Sequence, residues 1–355
     1  MKERKSLTGN IKRINLAPLY SLLLAFIIGS IIIRASGNSP IEIYGILING
    51  AFGSRKGFLQ TLLQATPLLY CGLAVSFGLK GGILNLGVEG QLYMGALFSS
   101  IAAIYIKGLP APVHIIICVV AGMIGGMIWA FLPIWLKIKR GAHEAVTALM
   151  MNYIAVLLLD YLLNYPIREP NSSVAQTVVI QPTAQLPHLF AKSKVTIAIF
   201  LGILLAIALN FLLKKTVLGY KITVVGSNRK AASASGIHVN KVLITTMLIS
   251  GLCAGLAGTM EVLGSYYRLI QGFSPGYGFE GIAVAVLGTS PISVIFSSIL
   301  FGALKAGGIM LNFGTNLSVK FITVLQGIII LLISAPLLIP NIKESINKKL
   351  SQRRS

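Results

Sequence analysis

Apolar runs of about twenty residues follow one another along most of this chain, the length an α-helix needs to cross a bilayer. In lipid, every backbone donor and acceptor must be satisfied inside the protein, so only helices and closed barrels cross. Barrel strands alternate in polarity, whereas these runs are apolar on all sides. The expected fold class is all-α, a polytopic membrane helix bundle. Charged residues make up only 11% of the chain, against about 25% in soluble domains, which agrees.

Spans are expected at residues 16–33, 58–79, 86–106, 113–136, 144–163, 195–213, 242–263 and 321–339. A short eighth and a ninth lie within 281–308, divided at Thr289-Ser290-Pro291. A moderately polar stretch, 34–56, separates the first two. That makes about ten transmembrane helices with both termini on one side. The net charge of +21 comes from 30 basic and 9 acidic residues. In a soluble protein such an excess would point to nucleic acid. Here 20 of the 30 basic residues fall on the side of the N-terminus. This is a topology signal that places both termini in the cytoplasm and calls for no nucleic-acid partner. Reading 281–308 as one span would turn the basic tail outward, against that rule. The first apolar run is too long for a signal peptide and ends in no small-residue cleavage site, so it reads as a retained span. Cys71, Cys118 and Cys253 all lie within spans, without the spacing of a disulfide framework or zinc site.

Ten spans divide into two inverted five-helix halves, a common transporter plan in which broken helices at matching positions mark the site. The expected organisation is a single transmembrane domain, 1–355. It comprises a first half-repeat (16–164), an external loop (165–193), a second half-repeat (194–339) and a basic cytoplasmic tail (340–355).

The first break is the stretch GGILNLGVEGQLYMG at 81–95, where Asn85, Glu89 and Gln91 stand among glycines between apolar runs. A carboxylate in a bilayer core costs about 2.5–3.5 kcal/mol on insertion scales unless protein or water lines its surroundings. The stretch is therefore a wall of a polar path or a hydrogen-bonded hinge. The second half breaks at 272–281, and both breaks carry a Glu-Gly pair opening the next helix: Glu89-Gly90 and Glu280-Gly281. Glu89 either caps and fixes a bend or touches solute. Asn152, within the fifth span, either bonds across helices or lines the path. The pairs Gly78–Gly82, Gly122–Gly126 and Gly251–Gly255 permit close helix approach.

Enzyme chemistry finds little support. No P-loop pattern occurs. His143-Glu144-Ala145-Val146-Thr147 lacks the second histidine of a zinc-protease helix. Gly272-Phe273-Ser274-Pro275-Gly276 has the spacing of a nucleophile elbow. Pro275, however, has no N–H to give an oxyanion hole. No cofactor is called for. In the basic loop 214–241, Asn228 is placed to cap a short helix over 229–235, which Gly236 ends.

Four blocks carry a family resemblance. Gly81-Gly-Ile-Leu-Asn-Leu-Gly-Val-Glu-Gly-Gln91 resembles the signature of permease subunits of ATP-binding-cassette (ABC) importers. The superfamily is that of ribose and branched-chain amino-acid importers, and the nearest group is the nucleoside and simple-sugar permeases. Gly141-Ala-His-Glu144 with Leu149-Met-Met-Asn152-Tyr153 is similar to that group's fifth-span motif, although His143 stands where Asn is common. Gly226-Ser-Asn228 through Gly236-Ile237 resembles its cytoplasmic coupling loop, and Ser250-Gly251 through Gly258 its following span. The resemblance implies a transport subunit, not an enzyme, with ATP hydrolysis on a partner chain. Implied partners are an ABC ATPase, a second permease of the same or different sequence, an extracytoplasmic solute-binding lipoprotein touching 34–56 and 164–193, and membrane lipid. Asn228, Ala231, Ala232, Gly236 and Ile237 would form the ATPase-coupling helix. Asn85, Glu89, Gln91, Asn152 and Glu280 would line the translocation path. For a nucleoside, Tyr93, Asn152, Tyr153 and Phe313 offer stacking and amide hydrogen bonds. The rivals are a stand-alone secondary transporter with inverted repeats, which has few intramembrane acids here to couple an ion, and a scaffold or insertase without a path.

Overall fold

Each expected apolar run that falls within the described residues forms a helix. The computed structural model describes residues 17–35, 37–190 and 193–314, with 324 and 327–328. It divides into a unit of Met1–Pro40 with Val324–Ser355 and a larger unit, Ile41–Thr323. In the first unit, α1 (Ala17–Ala35) covers the first expected span. The last expected span, 321–339, lies outside the described residues apart from 324, 327 and 328.

The larger unit runs α2 (Pro40–Phe52), α3 (Arg55–Lys80), α4 (Val88–Tyr105), α5 (Ala111–Arg140), α6 (Glu144–Asn164), α7 (Ala198–Lys215), α8 (Val217–Ser227), α9 (Arg229–Ala234), α10 (Val239–Met260), α11 (Tyr277–Leu287) and α12 (Pro291–Gly314). A π-helical turn, Glu261–Tyr266, prolongs α10. Among the described residues the β-structure is limited to the isolated bridges Gln176–Ile270 and His188–Thr196. Among the described residues six helices are long and apolar enough to cross a membrane, or seven if the bent pair Leu23–Ala35 and Pro40–Phe52 forms one span.

Three expectations about spans change. The 34–56 stretch carries a helix, α2, which buries Ile43, Leu47, Gly50 and Ala51. The third expected span, α4, is an interior helix, sheathed from Val88 to Leu97; Glu89 and Gln91 make it too polar to face lipid. The eighth, α11, has 11 residues, about 16 Å at 1.5 Å per residue, half of a hydrocarbon core of about 30 Å. The break at 288–290 is present. Pro291 opens α12, where Ser290 and Ser293 cap each other: Ser290 N–H donates to Ser293 Oγ (2.9 Å) and Ser293 N–H to Ser290 Oγ (3.3 Å).

Burial is uneven, and it reflects the side chains available. α3 and α10 lie inside, while α5, α6 and α7 bury one side and present apolar faces outward. α3 packs on α11 and α12; α10 packs on α4 and α5. The crossing of α5 with α10 needs glycine. A Cβ on Gly126 would stand 2.2 Å from the Gly251 carbonyl oxygen, and one on Gly255 would stand 2.4 Å from that of Gly122. Two of the small-residue pairs read from the sequence, Gly122–Gly126 and Gly251–Gly255, are thus opposite faces of one contact.

Residues 177–186 of the expected external loop are held by hydrogen bonds to the π turn and the segment that follows it. Thr177 N–H donates to the Leu269 carbonyl (2.9 Å), Ile180 to Tyr267 (2.9 Å) and Leu186 to Leu263 (2.8 Å). Arg268 pairs with Glu169 at 3.1 Å.

Candidate translocation site

The first break begins as a glycine-terminated helix. Gly82 has φ +70°, its N–H donates to the Leu79 carbonyl, and Ile83 N–H donates to Gly78, both at 3.0 Å. This is the double bond of a Schellman end, with glycine at the left-handed position. The chain then passes to α4 through three amide side chains. The Asn85 carbonyl oxygen accepts from Gly87 N–H (3.0 Å) and from the Gln91 amide (3.1 Å), while its own NH₂ donates to Gln91 Oε1 and Ser250 Oγ, both at 2.8 Å. Ser250 donates onward to the Ala74 carbonyl (2.6 Å). From α6, the Asn152 amide donates to the Leu86 carbonyl (2.7 Å) and its oxygen accepts from Gly90 N–H (2.8 Å). Asn85, Gln91 and Asn152 are buried. Asn85 and Asn152 bind backbone groups that the break leaves open, as buried polar groups must, and Gln91 holds the Asn85 amide from both sides.

Glu89 performs a different task. Its carboxylate accepts from Gly278 N–H at 2.6 Å, so an acid in the first turn of α4 caps the first turn of α11. The two breaks read from the sequence are in contact. A Cβ on Gly278 would lie 2.4 Å from Glu89 N, which leaves room for glycine alone. Ser274, the would-be nucleophile, accepts from Gly276 N–H (3.3 Å) and Tyr277 N–H (3.2 Å), shaping the entry to α11.

The second break opens at Tyr277, so Glu280 is the fourth residue of α11, not its first. Its oxygens accept from Lys305 of α12 at 2.9 and 2.8 Å. Lys305 was missed in the sequence, although a lone lysine within the apolar run 281–308 was the signal. Of the aromatic candidates, Tyr93 is buried with its ring 4.9 Å from that of Phe273, and Tyr153 is exposed. The side chain of Phe313 lies outside the described residues. Asn85, Gln91 and Asn152 therefore share one cluster, Glu89 joins it to α11, and Glu280 stands apart with Lys305.

The 214–241 loop is two helices, α8 and α9, not one. Asn228 Oδ1 accepts from Lys230 and Ala231 N–H (3.0 and 3.1 Å) at the start of α9. At its end Gly236 has φ +77°, and Ile237 N–H donates to the Ala232 carbonyl (3.0 Å). Ala232 is fully buried, whereas Ala231, Ser233, Ala234 and Ser235 are exposed. A Cβ on Gly226 would sit 2.1 Å from the Lys80 carbonyl oxygen, so α8 lies against the end of α3. Arg229 adds a contact the sequence did not disclose: its guanidinium donates to the Gly82 carbonyl at 2.7 Å, tying α9 to the first break.

The sequence pattern of the family described as branched-chain amino acid transport system / permease component matches residues 57–334. The guanosine ABC transporter permease protein NupP of Bacillus subtilis (strain 168) is 32% identical over 348 residues, 96% of this chain and 99% of that protein. The glucose ABC transporter permease protein TsgB13 of Haloferax volcanii is 32% identical over 88% of this chain and 85% of its own length. The nucleoside ABC transporter permease protein NupB of Lactococcus lactis subsp. cremoris is 30% identical, over 84% and 85% respectively.

Proposed function

This chain belongs to the branched-chain amino acid transport system / permease component family, and we propose that it forms the translocation path of an ABC importer for a nucleoside or simple sugar. The observation that carries the reading is the mid-chain meeting of two broken helices, Glu89 on Gly278, in a membrane protein similar over most of its length to nucleoside and glucose permeases. Interrupted helices whose ends meet inside the bilayer are the usual construction of a transport site.

The halves of the chain are related by inversion in this reading. Support comes from the packing: α3 lies on α11 and α12 as α10 lies on α4 and α5. With α1, the interior α4, the short α11 and residues 321–339 counted beside the six long apolar helices, the chain crosses about ten times, with both termini cytoplasmic by the charge rule. Asn85, Gln91 and Asn152 brace the wall of the path, Glu89 joins its two broken segments, and Glu280 faces it. ATP is hydrolysed by a separate ATPase that seats on the exposed small-residue face of α9, leaving Asn228, Ala232, Gly236 and Ile237 to shape that helix. A second permease, identical or different, completes the membrane part. A solute-binding lipoprotein approaches the 34–56 and 164–193 segments.

Reconstitution tests this. The chain, with its companion permease, ATPase and binding protein, is placed in liposomes and supplied with radiolabelled adenosine, guanosine or glucose. ATP-dependent uptake of one of them is expected. Uptake by this chain without any ATPase would instead establish the secondary-transporter alternative.

A further inference from the structure

Depth makes the Glu280–Lys305 pair informative. The ammonium lies 2.8 Å from the nearer carboxylate oxygen, and the two side chains keep 22% and 17% of their surface exposed on this chain. The neighbouring Gly281 is seated on Cys71 of α3, where a Cβ would come 2.6 Å from the cysteine's own Cβ. Cys71 stands about 24 Å from one end of α3 and about 14 Å from the other at 1.5 Å per residue. The pair is thus exposed near the middle of a membrane-crossing helix. Charges at such depth face water or protein, not hydrocarbon.

The chemistry of the pair narrows what passes it. Carboxylate and ammonium neutralise each other, so a charged solute would gain little net field and would have to separate a partly desolvated pair. Two of the three ammonium N–H groups reach the carboxylate oxygens, leaving one free to donate, and each oxygen keeps a free lone pair. The ammonium also lies 4.8 Å from the centre of the Tyr277 ring, close enough for a cation–π contact that holds it in place. A donor and an acceptor side by side suit two adjacent hydroxyls, one accepting from Lys305 and one donating to Glu280.

We propose that Glu280 and Lys305, with the Tyr277 ring beside the ammonium, form the contact point for an uncharged solute bearing adjacent ring hydroxyls as it crosses. The proposal rests on the transport reading above and assigns the class of solute to a place on the path. Ribonucleosides and hexoses share this chemistry, and the test separates them.

The test uses the full transporter in lipid, with Glu280→Cys and Lys305→Cys introduced separately. A water-soluble, positively charged methanethiosulfonate is the probe. The native Cys71, Cys118 and Cys253 are buried, and the unmodified transporter gives their background. The new thiols are expected to react, and adenosine or glucose to slow the reaction several-fold, whichever does so naming the solute. 2′,3′-Dideoxyadenosine, which lacks the adjacent hydroxyls, and adenosine 5′-monophosphate are expected to leave it unchanged. Unreactive thiols, or equal protection by adenosine and its dideoxy analogue, would overturn the proposal and reduce the pair to a clasp between α11 and α12. If the cysteine variants do not assemble, uptake by Lys305→Arg and Lys305→Met replaces labelling. A contact point predicts that Met loses selectivity for adenosine over dideoxyadenosine and Arg keeps it; a clasp predicts the same loss for both solutes. Failure of the unmodified transporter to take up any ribonucleoside or hexose would sink the transport reading itself, an outcome separate from these.

Discussion

The carboxylate of Glu89 accepts a 2.6 Å hydrogen bond from the backbone N–H of Gly278, across 189 residues of chain. It joins the first turns of two helices, α4 and α11, that each begin inside the protein. A negative side chain at a helix N-terminus meets both the open N–H groups and the positive end of the helix dipole.

Glu89→Ala should leave Gly278 N–H unsatisfied in a buried site, at about 1–3 kcal/mol. We expect the protein to reach the membrane and uptake to fall strongly, with Glu89→Gln recovering most of it because an amide oxygen still accepts. Uptake and thermal unfolding in detergent check this. Equal, full activity of both variants would deprive the contact of its role.

Gly278→Ala adds a methyl where the Glu89 backbone stands 2.4 Å away. Overpacking of this kind costs about 1–3 kcal/mol, and the displaced atoms here are main chain, which cannot turn aside. The expected result is a lowered unfolding temperature and lost uptake; Gly272→Ala, whose added Cβ would meet nothing within 4 Å, should pack without a clash. Gly272 has φ +67°, so its own penalty is confined to backbone conformation, and the clash is expected to lower the unfolding temperature of Gly278→Ala below that of Gly272→Ala.

Asn152→Ala removes the partners of both Gly90 N–H and the Leu86 carbonyl. With two buried backbone groups left open, a loss of about 2–6 kcal/mol is expected at 1–3 kcal/mol each. Asn152→Asp, which keeps the acceptor for Gly90 but not the donor for Leu86, should not restore the stability. Chemical or thermal unfolding of the purified chain measures it.

Ser233→Arg and Ala232→Arg separate docking from folding at α9. Ser233 is exposed, whereas Ala232 has no exposed surface. Ser233→Arg should leave the permease folded and reduce co-purification of the ATPase. Ala232→Arg should destabilise the α8–α9 region itself. Retained ATPase binding and full uptake in Ser233→Arg would remove α9 from the interface.

Arg229→Met should loosen the tie from α9 to the Gly82 carbonyl. The expected signature is uncoupling: ATP hydrolysis by the assembled transporter persists while solute taken up per ATP falls. A proportional fall in both rates would mean that Arg229 serves assembly only.

The apolar runs, the glycine pairs and the Asn228–Gly236 bracket around α9 could be read from the chain. Each depends on local rules: helix length against bilayer thickness, the absence of a side chain, and a side-chain oxygen beside free N–H groups. The same holds for the polar break at 81–95, because amides and a carboxylate between apolar runs demand partners inside the protein. Which partners they find was not local. Asn152 reaches the break from 62 residues away, Gly278 from 189, and Arg229 approaches Gly82 from 147; no periodicity records such meetings. Glu280 looked like the counterpart of Glu89, yet the two acids end differently: Glu89 is buried on a backbone N–H, and Glu280 is paired with a lysine on the next helix. The sequence alone determined that this chain is a membrane helix bundle with a polar interruption. Only the tertiary structure decided that Asn152 of α6, Ser250 of α10 and Gly278 of α11 close the interruption, because in the bilayer an open backbone group must take its partner from whichever helix packing brings within reach.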